Sequence, residues 1–187
     1  MRNLVYAINL SVDGCCDHAM LGPECITDDV AEYYMDIMRD VDLTIFGRKT
    51  YELMIPYWPD VAKDPTATKS DIEFAQKFTA MDKIVVSRSL ANAEANTRIV
   101  RTNPGDELLR LKQKTGKKIS VGGVDLPQQF IALGLVDEFY FFILPIIVGE
   151  GRRLLEGTGL PAKQQLKLVG SKIFRSGAVA LHYLKQS

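Results

Sequence analysis

Four stretches of this chain set glycine, hydroxyl and arginine groups directly behind short apolar runs. They are "INLSVDG" (8–14), "FGRKTYE" (46–52), "VVSRS" (85–89) and "SVGGVD" (120–125). In "FGRKTYE", Gly47, Arg48 and Thr50 stand where a strand hands over to a helix. Free helix-start amides, a guanidinium fork and a hydroxyl together suit a phosphate. "VVSRS" repeats the theme with Ser87 and Arg88. The pair Gly122–Gly123 permits backbone angles other residues avoid and lets something approach bare amides. That something is either another part of the chain or a phosphate.

For acid–base work, Asp13 lies just past the first apolar run, and Asp28, Asp29, Glu32 and Asp36 lie on or before the first amphipathic segment. A carboxylate there that faces the sheet can hold or protonate a ring nitrogen. Asp13 and Glu32 are the candidate catalytic acids. His18 falls in a loop and His182 alternates with Leu181 and Tyr183 in a late strand, a structural pattern. Cys15, Cys16 and Cys25 are odd in number and crowded near one end, which argues for a reducing cytoplasm over a disulfide framework. No zinc-type spacing is present, and no metal is expected. "GTGLPA" (157–162) fits a dinucleotide fingerprint in letters only, because Pro161 and the lack of a strand–turn–helix frame disqualify it. "GEGRRLL" (149–155) reads as a turn.

The elements that must position these groups follow from periodicity. "NLVYAINL" reads as a first strand and "SVDGCCDHAMLGPECITDD" as a long loop. Val30, Tyr33, Tyr34, Ile37, Met38 and Val41 recur at helical spacing, with Thr27 or Asp28 as cap. "DLTIFG" predicts a buried strand and "RKTYELM" a short helix. "IPYWPDVAKDPTATKS", with three prolines, predicts a surface loop. "DIEFAQKFTAM", "PGDELLRLKQKT" and "DLPQQFIALG" predict helices. "DKIVVSRS", "ANTRIV", "KKISV" and "VDEFYFFILPII" predict strands, and "LKLVGSKIF" with "AVALHYLK" a terminal hairpin. Strands alternating with helices imply an α/β fold with a mixed, mostly parallel sheet and an antiparallel end. No interior linker divides residues 1–187, so one domain is expected. With 23 basic and 23 acidic residues, the balance gives no general nucleic-acid or membrane electrostatics. The longest apolar run, "FYFFILPIIV" (139–148), is too short to span a bilayer and contains Pro145.

In this order, "A-x-N-x-S-x-D-G", "G-R-x-T-Y-E", "V-x-S-R", "G-G-x-x-L" and "VDEFYFFILPIIVGEGRRLLE" resemble the dihydrofolate-reductase superfamily. Within it, the likeness is to the reductase domain at the C-terminal end of the bifunctional riboflavin-biosynthesis deaminase-reductase. The resemblance implies a three-layer α/β/α fold and NADPH as cofactor. Gly47, Arg48 and Thr50 would hold phosphates, and Ser87 and Arg88 would read the adenosine 2′-phosphate. Gly122 and Gly123, joined by a cis bond, would admit the pyrophosphate and nicotinamide, and Asn9 would border the nicotinamide. The implied activity is hydride transfer to a small heterocyclic or ribose-bearing substrate, of the phosphoribosylaminouracil reductase type. The alternatives are dihydrofolate reduction and a non-catalytic nucleotide-binding dimer. The resemblance implies weak folate turnover, since neither Asp28, Asp29 nor Glu32 matches the pterin-gripping carboxylate, and "LGPE" replaces the usual tryptophan. It also implies a homodimer with residues 139–148 at or near the interface, because both faces of that strand are apolar.

Overall fold

The computed structural model describes residues 1–22, 26–94 and 96–186. Cys25 and the "PE" of "LGPE" lie outside them. The strands are β1 (Leu4–Ser11), β2 (Val41–Gly47), β3 (Asp82–Val86), β4 (Thr97–Val100), β5 (Lys118–Gly122), β6 (Glu138–Leu144), β7 (Leu166–Ile173) and β8 (Val179–Lys185). The helices are α1 (His18–Leu21), α2 (Asp28–Arg39), α3 (Arg48–Val61), α4 (Lys69–Ala80), α5 (Pro104–Gln113) and α6 (Asp125–Ala132). All eight strands form one sheet in the order β4-β3-β2-β5-β1-β6-β8-β7. The first six run parallel, while β8 is antiparallel to both β6 and β7. The expected α/β sheet with its antiparallel terminal hairpin is present.

Alternation along β1 divides the core. Leu4, Tyr6, Ile8 and Leu10 pack with Leu108 and Leu111 of α5 and Leu126, Phe130 and Ile131 of α6. Val5 packs on the other face with Val30 of α2 and with Tyr140, Phe142 and Leu144 of β6. Further along that face, Met35 and Met38 of α2, Tyr51 of α3 and Phe74 and Phe78 of α4 cover Phe46 and Val85. Helices therefore lie on both sides, α5 and α6 opposite α2, α3 and α4.

Two elements differ from the sequence expectation. The long loop after β1 contains a single helical turn, α1, capped by the Asp17 carboxylate on the Ala19 amide. More substantially, α3 continues into the first part of the expected loop, to Val61, and contains Pro56 and Pro59. Each interior proline removes a helix bond and costs about 3 kcal/mol or more in an unsupported helix. Trp58 supplies the support, its ring centred 4.3 Å from that of Phe74 and 6.5 Å from Phe78. Aromatic packing between α3 and α4 overrides the local breaker signal.

The sheet is not evenly zipped. β1 pairs with β5 only from Leu4 to Tyr6, but with β6 all the way from Val5 to Ser11. Beyond Tyr6 the first two neighbours part, because β5 ends at Gly122 and the chain turns into α6. β2 ends beside it, with Phe46 opposite Gly122. The crossover leaving β2 leads toward β3 and the one leaving β5 leads toward β6, so the strand order switches direction here. In open α/β sheets this is where ligands bind.

Candidate functional site

The carboxyl edge of the sheet gathers most of the expected cofactor residues. Gly47 is opposite Val86, placing Ser87 and Arg88 beside it. Gly122 follows on the other side of β2, and Thr50 on the first turn of α3 reaches Gly123. Asn9 lies farther along β1, on the half that runs beyond β5 and opposite Phe142 of β6.

The three glycines of this rim are there for different reasons. Gly123 has φ +90° and a Cβ would overlap the Thr50 hydroxyl. A Cβ on Gly122 would stand 2.7 Å from the Phe46 ring. The pair is thus demanded by the chain's own close packing. The Gly122–Gly123 bond is trans, as no cis peptide occurs among the described residues, which corrects the expected cis linkage. Gly47 is the contrast. Its φ of −75° suits any residue, and a Cβ would meet nothing within 4 Å. It forms the N-cap of α3, and no side chain caps that helix start. Neither backbone nor packing asks for glycine, yet the open space lies directly before the free amides of a helix.

Arg48 opens α3 and pairs loosely with Glu52 at 3.3 Å, both side chains nearly half exposed. Ser87 is buried and its hydroxyl accepts from the amides of Ser89 and Leu90, closing the turn after β3. Arg88 is exposed on that turn. Arg101 stands at the end of β4, and its Nη1 donates to the Arg88 carbonyl at 3.2 Å. Sequence reading missed Arg101, although "RIVR" obeys the same rule of an arginine directly behind an apolar strand. Two residues on, Asn103 begins the wall of a cavity of about 250 Å³ lined also by Pro104, Asp106, Gln129, Phe130 and Leu133.

The two expected acids are placed otherwise. The Asp13 carboxylate accepts from the Ser11 hydroxyl at 2.6 Å, the Val148 amide at 3.1 Å, the Gly149 amide at 2.9 Å and Arg153 Nη2 at 3.2 Å. The Ser11 hydroxyl and the two amides hold its pKa far below the usual carboxylate range. It is an ionised clamp between the loops leaving β1 and β6 and has no proton to give at neutral pH. Glu32 is exposed on α2, turned away from the buried stripe of Val30, Met35 and Met38. Asp29 also serves structure, accepting from Thr27 and from the Arg175 amide, which lowers its pKa. His18 is exposed on α1.

The clamp draws in "GEGRRLL". Arg152 and Cys16 are joined through the Cys16 amide and the Arg152 carbonyl at 2.8 Å, and Cys15 bridges Arg153. Among the described residues, no group of three or more His, Cys, Asp or Glu could hold a metal, and no helix is long and apolar enough to cross a membrane.

Both the sheet order and the switch point are those of a dihydrofolate-reductase-like fold. The structure matches dihydrofolate reductase from Enterococcus faecalis complexed with NADP(H) at a TM-score of 0.63 and 13% identity, over 99% of this chain and 97% of that one. It matches a putative riboflavin biosynthesis protein from Shewanella sp. PV-4 at 0.71 and 17% identity, over 100% of both chains. The chain belongs to the RibD C-terminal domain family, whose pattern covers residues 2–180. It is 33% identical over 185 residues to the uncharacterized protein YyaP of Bacillus subtilis (strain 168), spanning 97% of this chain and 94% of that relative.

Proposed function

We propose that this protein is an NADPH-dependent reductase acting on a small heterocyclic or ribose-bearing substrate, of the phosphoribosylaminouracil reductase type. The observation that carries the reading is Gly47: a glycine the fold does not need, before an uncapped helix start, at the switch point of the sheet. Free amides at such a helix start favour phosphate. Family membership and the NADP(H) complex of a protein with the same fold support the assignment.

The α3 amides and Arg48 would hold the pyrophosphate. Arg101 reaches the Arg88 carbonyl on the turn after β3; the two arginines would take a 2′-phosphate there, with the cavity beside Asn103 receiving the adenosine. When bound, the reduced nicotinamide supplies a hydride. The chain's part is to hold donor and acceptor in register at the mouth between β1 and β5 and to exclude water there. With Asp13 ionised and engaged, and Glu32 turned outward, we assign the proton to water and neither residue to proton transfer.

The test is an NADPH titration of the unmodified protein and of Gly47→Ala. A methyl here meets no neighbour, and exchanging glycine for alanine at an N-cap costs at most about 1 kcal/mol, so the melting temperature should fall by no more than about 4 °C. NADPH binding should weaken at least about tenfold, or 1.4 kcal/mol. An unmodified protein that fails to bind NADPH, or a variant that binds it equally well, refutes the reading. NADPH oxidation against a panel of heterocycles then separates an enzyme from a nucleotide-binding scaffold.

A further inference from the structure

One side of the sheet is only partly covered. Helices α5 and α6 pack over β1 and β5. Farther along the same side, toward β6, β8 and β7, the apolar side chains stay open. Phe141, Ile143, Leu181 and Tyr183 are half-buried, while on the edge strand β7 Leu168 is 50% and Ile173 79% exposed. Register puts them together: Phe141 is opposite Leu181, Leu168 opposite Tyr183 and Ile173 opposite Val179. Lys167 and Lys172 of β7 project from the other side, so none of these neighbours is charged. A contiguous apolar surface of this kind marks an interaction site. Its shape favours a copy of itself. Phe141, Ile143, Leu154, Leu166 and Leu181 wall the hollow of about 440 Å³, and Leu168 and Ile173 stand out on the same surface. A two-fold axis sets the projections of each copy against the hollow of the other, and no like charges oppose it.

The wall of that hollow continues into the candidate site. Leu154 directly follows two residues joined to the loop leaving β1. The Cys16 amide donates to the Arg152 carbonyl at 2.8 Å, Arg153 Nε to the Asp13 carbonyl at 3.1 Å, and the Leu154 amide to the Gly14 carbonyl at 3.3 Å. Whatever positions Leu154 therefore positions residues 13–16 as well. The next residue, Leu155, has φ +63°, a left-handed conformation that a bulky side chain rarely takes. Leu154 and Leu155 are only half-buried within one chain, so this strained turn is supported on one side. The open side is the hollow.

We propose that a second copy of this chain seats on this surface, and that its contact with Leu154 holds the loop leaving β1 in place, so that the mouth of the site is fully formed only in the dimer. The consequence for hydride transfer rests on the reductase reading above; the coupling between the surface and the loop does not. The rim from Gly47 to Arg101 lies on the other side of β5 and has no part in this brace, so a single copy keeps its cofactor contacts there.

The test joins light scattering to amide hydrogen exchange, both without cofactor, on the unmodified protein and on the double variant Leu168→Asp/Ile173→Asp. Both replaced side chains are exposed on the edge strand, so the single copy should fold with an unchanged circular dichroism spectrum. The unmodified protein should be a dimer at micromolar concentration and the variant a monomer. In the variant, peptides covering residues 12–16 and 152–155 should exchange at least about tenfold faster, while those covering β2 and β3 keep their rates. A monomeric unmodified protein, or a variant that stays dimeric, would overturn the inference. A monomeric variant whose loop exchanges as before would overturn it too, and equal acceleration in β2 and β3 would do so by showing general loosening. Failure of the unmodified protein to bind NADPH in a separate titration would overturn the reductase reading alone.

Discussion

Gly123 and Thr50 share space that only one of them can fill. The turn after β5 presses its bare Cα against the first turn of α3, and a Cβ on Gly123 would overlap the Thr50 hydroxyl. Gly123→Ala should therefore lose about 1–3 kcal/mol in urea denaturation, from the positive φ and from the collision. A variant as stable as the original would show that the turn can shift without cost.

Arg101 donates to the Arg88 carbonyl, so both residues border the turn after β3, and a phosphorylated ribose held at that turn should draw on both charges. NADPH should bind at least about tenfold more tightly than NADH. Arg88→Ala and Arg101→Ala should each narrow that gap while leaving NADH affinity nearly unchanged. Equal affinities for the two cofactors in the unmodified protein would contradict this.

Dihydrofolate should be a poor substrate. The buried stripe of α2 consists of Val30, Met35 and Met38, with Tyr34 half-buried beside it; Glu32 and Asp36 point to solvent and Asp29 is bonded elsewhere. Steady-state assays at neutral pH should show little turnover. Robust turnover lost in Asp28→Asn would refute the expectation and identify the acid.

Stability should fall with acid in two stages. Burial lowers the His182 pKa, so below the unfolded value near 6.5 the unfolded chain takes up that proton first. Burial pushes the Glu138 carboxyl up, but bonds from Asn3 and Lys118 outweigh it and the net shift is downward. Asp13 is lowered further by Ser11 and the Val148 and Gly149 amides. The stabilisation from these two carboxylates is complete above about pH 5 and is lost progressively as pH falls below it. Melting temperature should decline gently from about pH 6.5 and steeply below about pH 4. His182→Gln should flatten the first stage and Asp13→Asn the second; profiles parallel to the original would exclude these groups as the source.

A two-fold homodimer is the expected assembly. On the face of β6 away from α2, Phe141 and Ile143 line an open concavity of about 440 Å³ with Leu10, Leu154, Leu166 and Leu181. Phe142, by contrast, is buried at 1% exposure under α2. Light scattering at micromolar concentration should give a dimer mass, and Phe141→Asp should give a monomer that still binds NADPH. A monomeric unmodified protein would sink the proposal.

The legible parts of this protein were those written locally. Helical spacing in Val30 to Met38 and the run of apolar strands led to the right elements, and the glycine–arginine corners led to one edge of the sheet. What depended on distant packing was not legible. Pro56 and Pro59 read as loop because Trp58 finds Phe74 only in the folded chain. Asp13 read as an acid because its amide partners at Val148 and Gly149 are far away in sequence. Gly47 and Gly123 look alike as letters, and only the space around each Cα tells one from the other.

β1 is made first and seated late. Its two neighbours, β5 and β6, do not exist until synthesis has passed Gly122 and Leu144. On a translating ribosome the apolar segment from Leu4 to Leu10 must wait unpaired while β2, β3 and β4 can already associate. Such long-range parallel pairing slows folding and leaves a sticky strand exposed in the interval. The nascent chain should therefore present this segment to chaperones until the central gap in the sheet is ready to receive it.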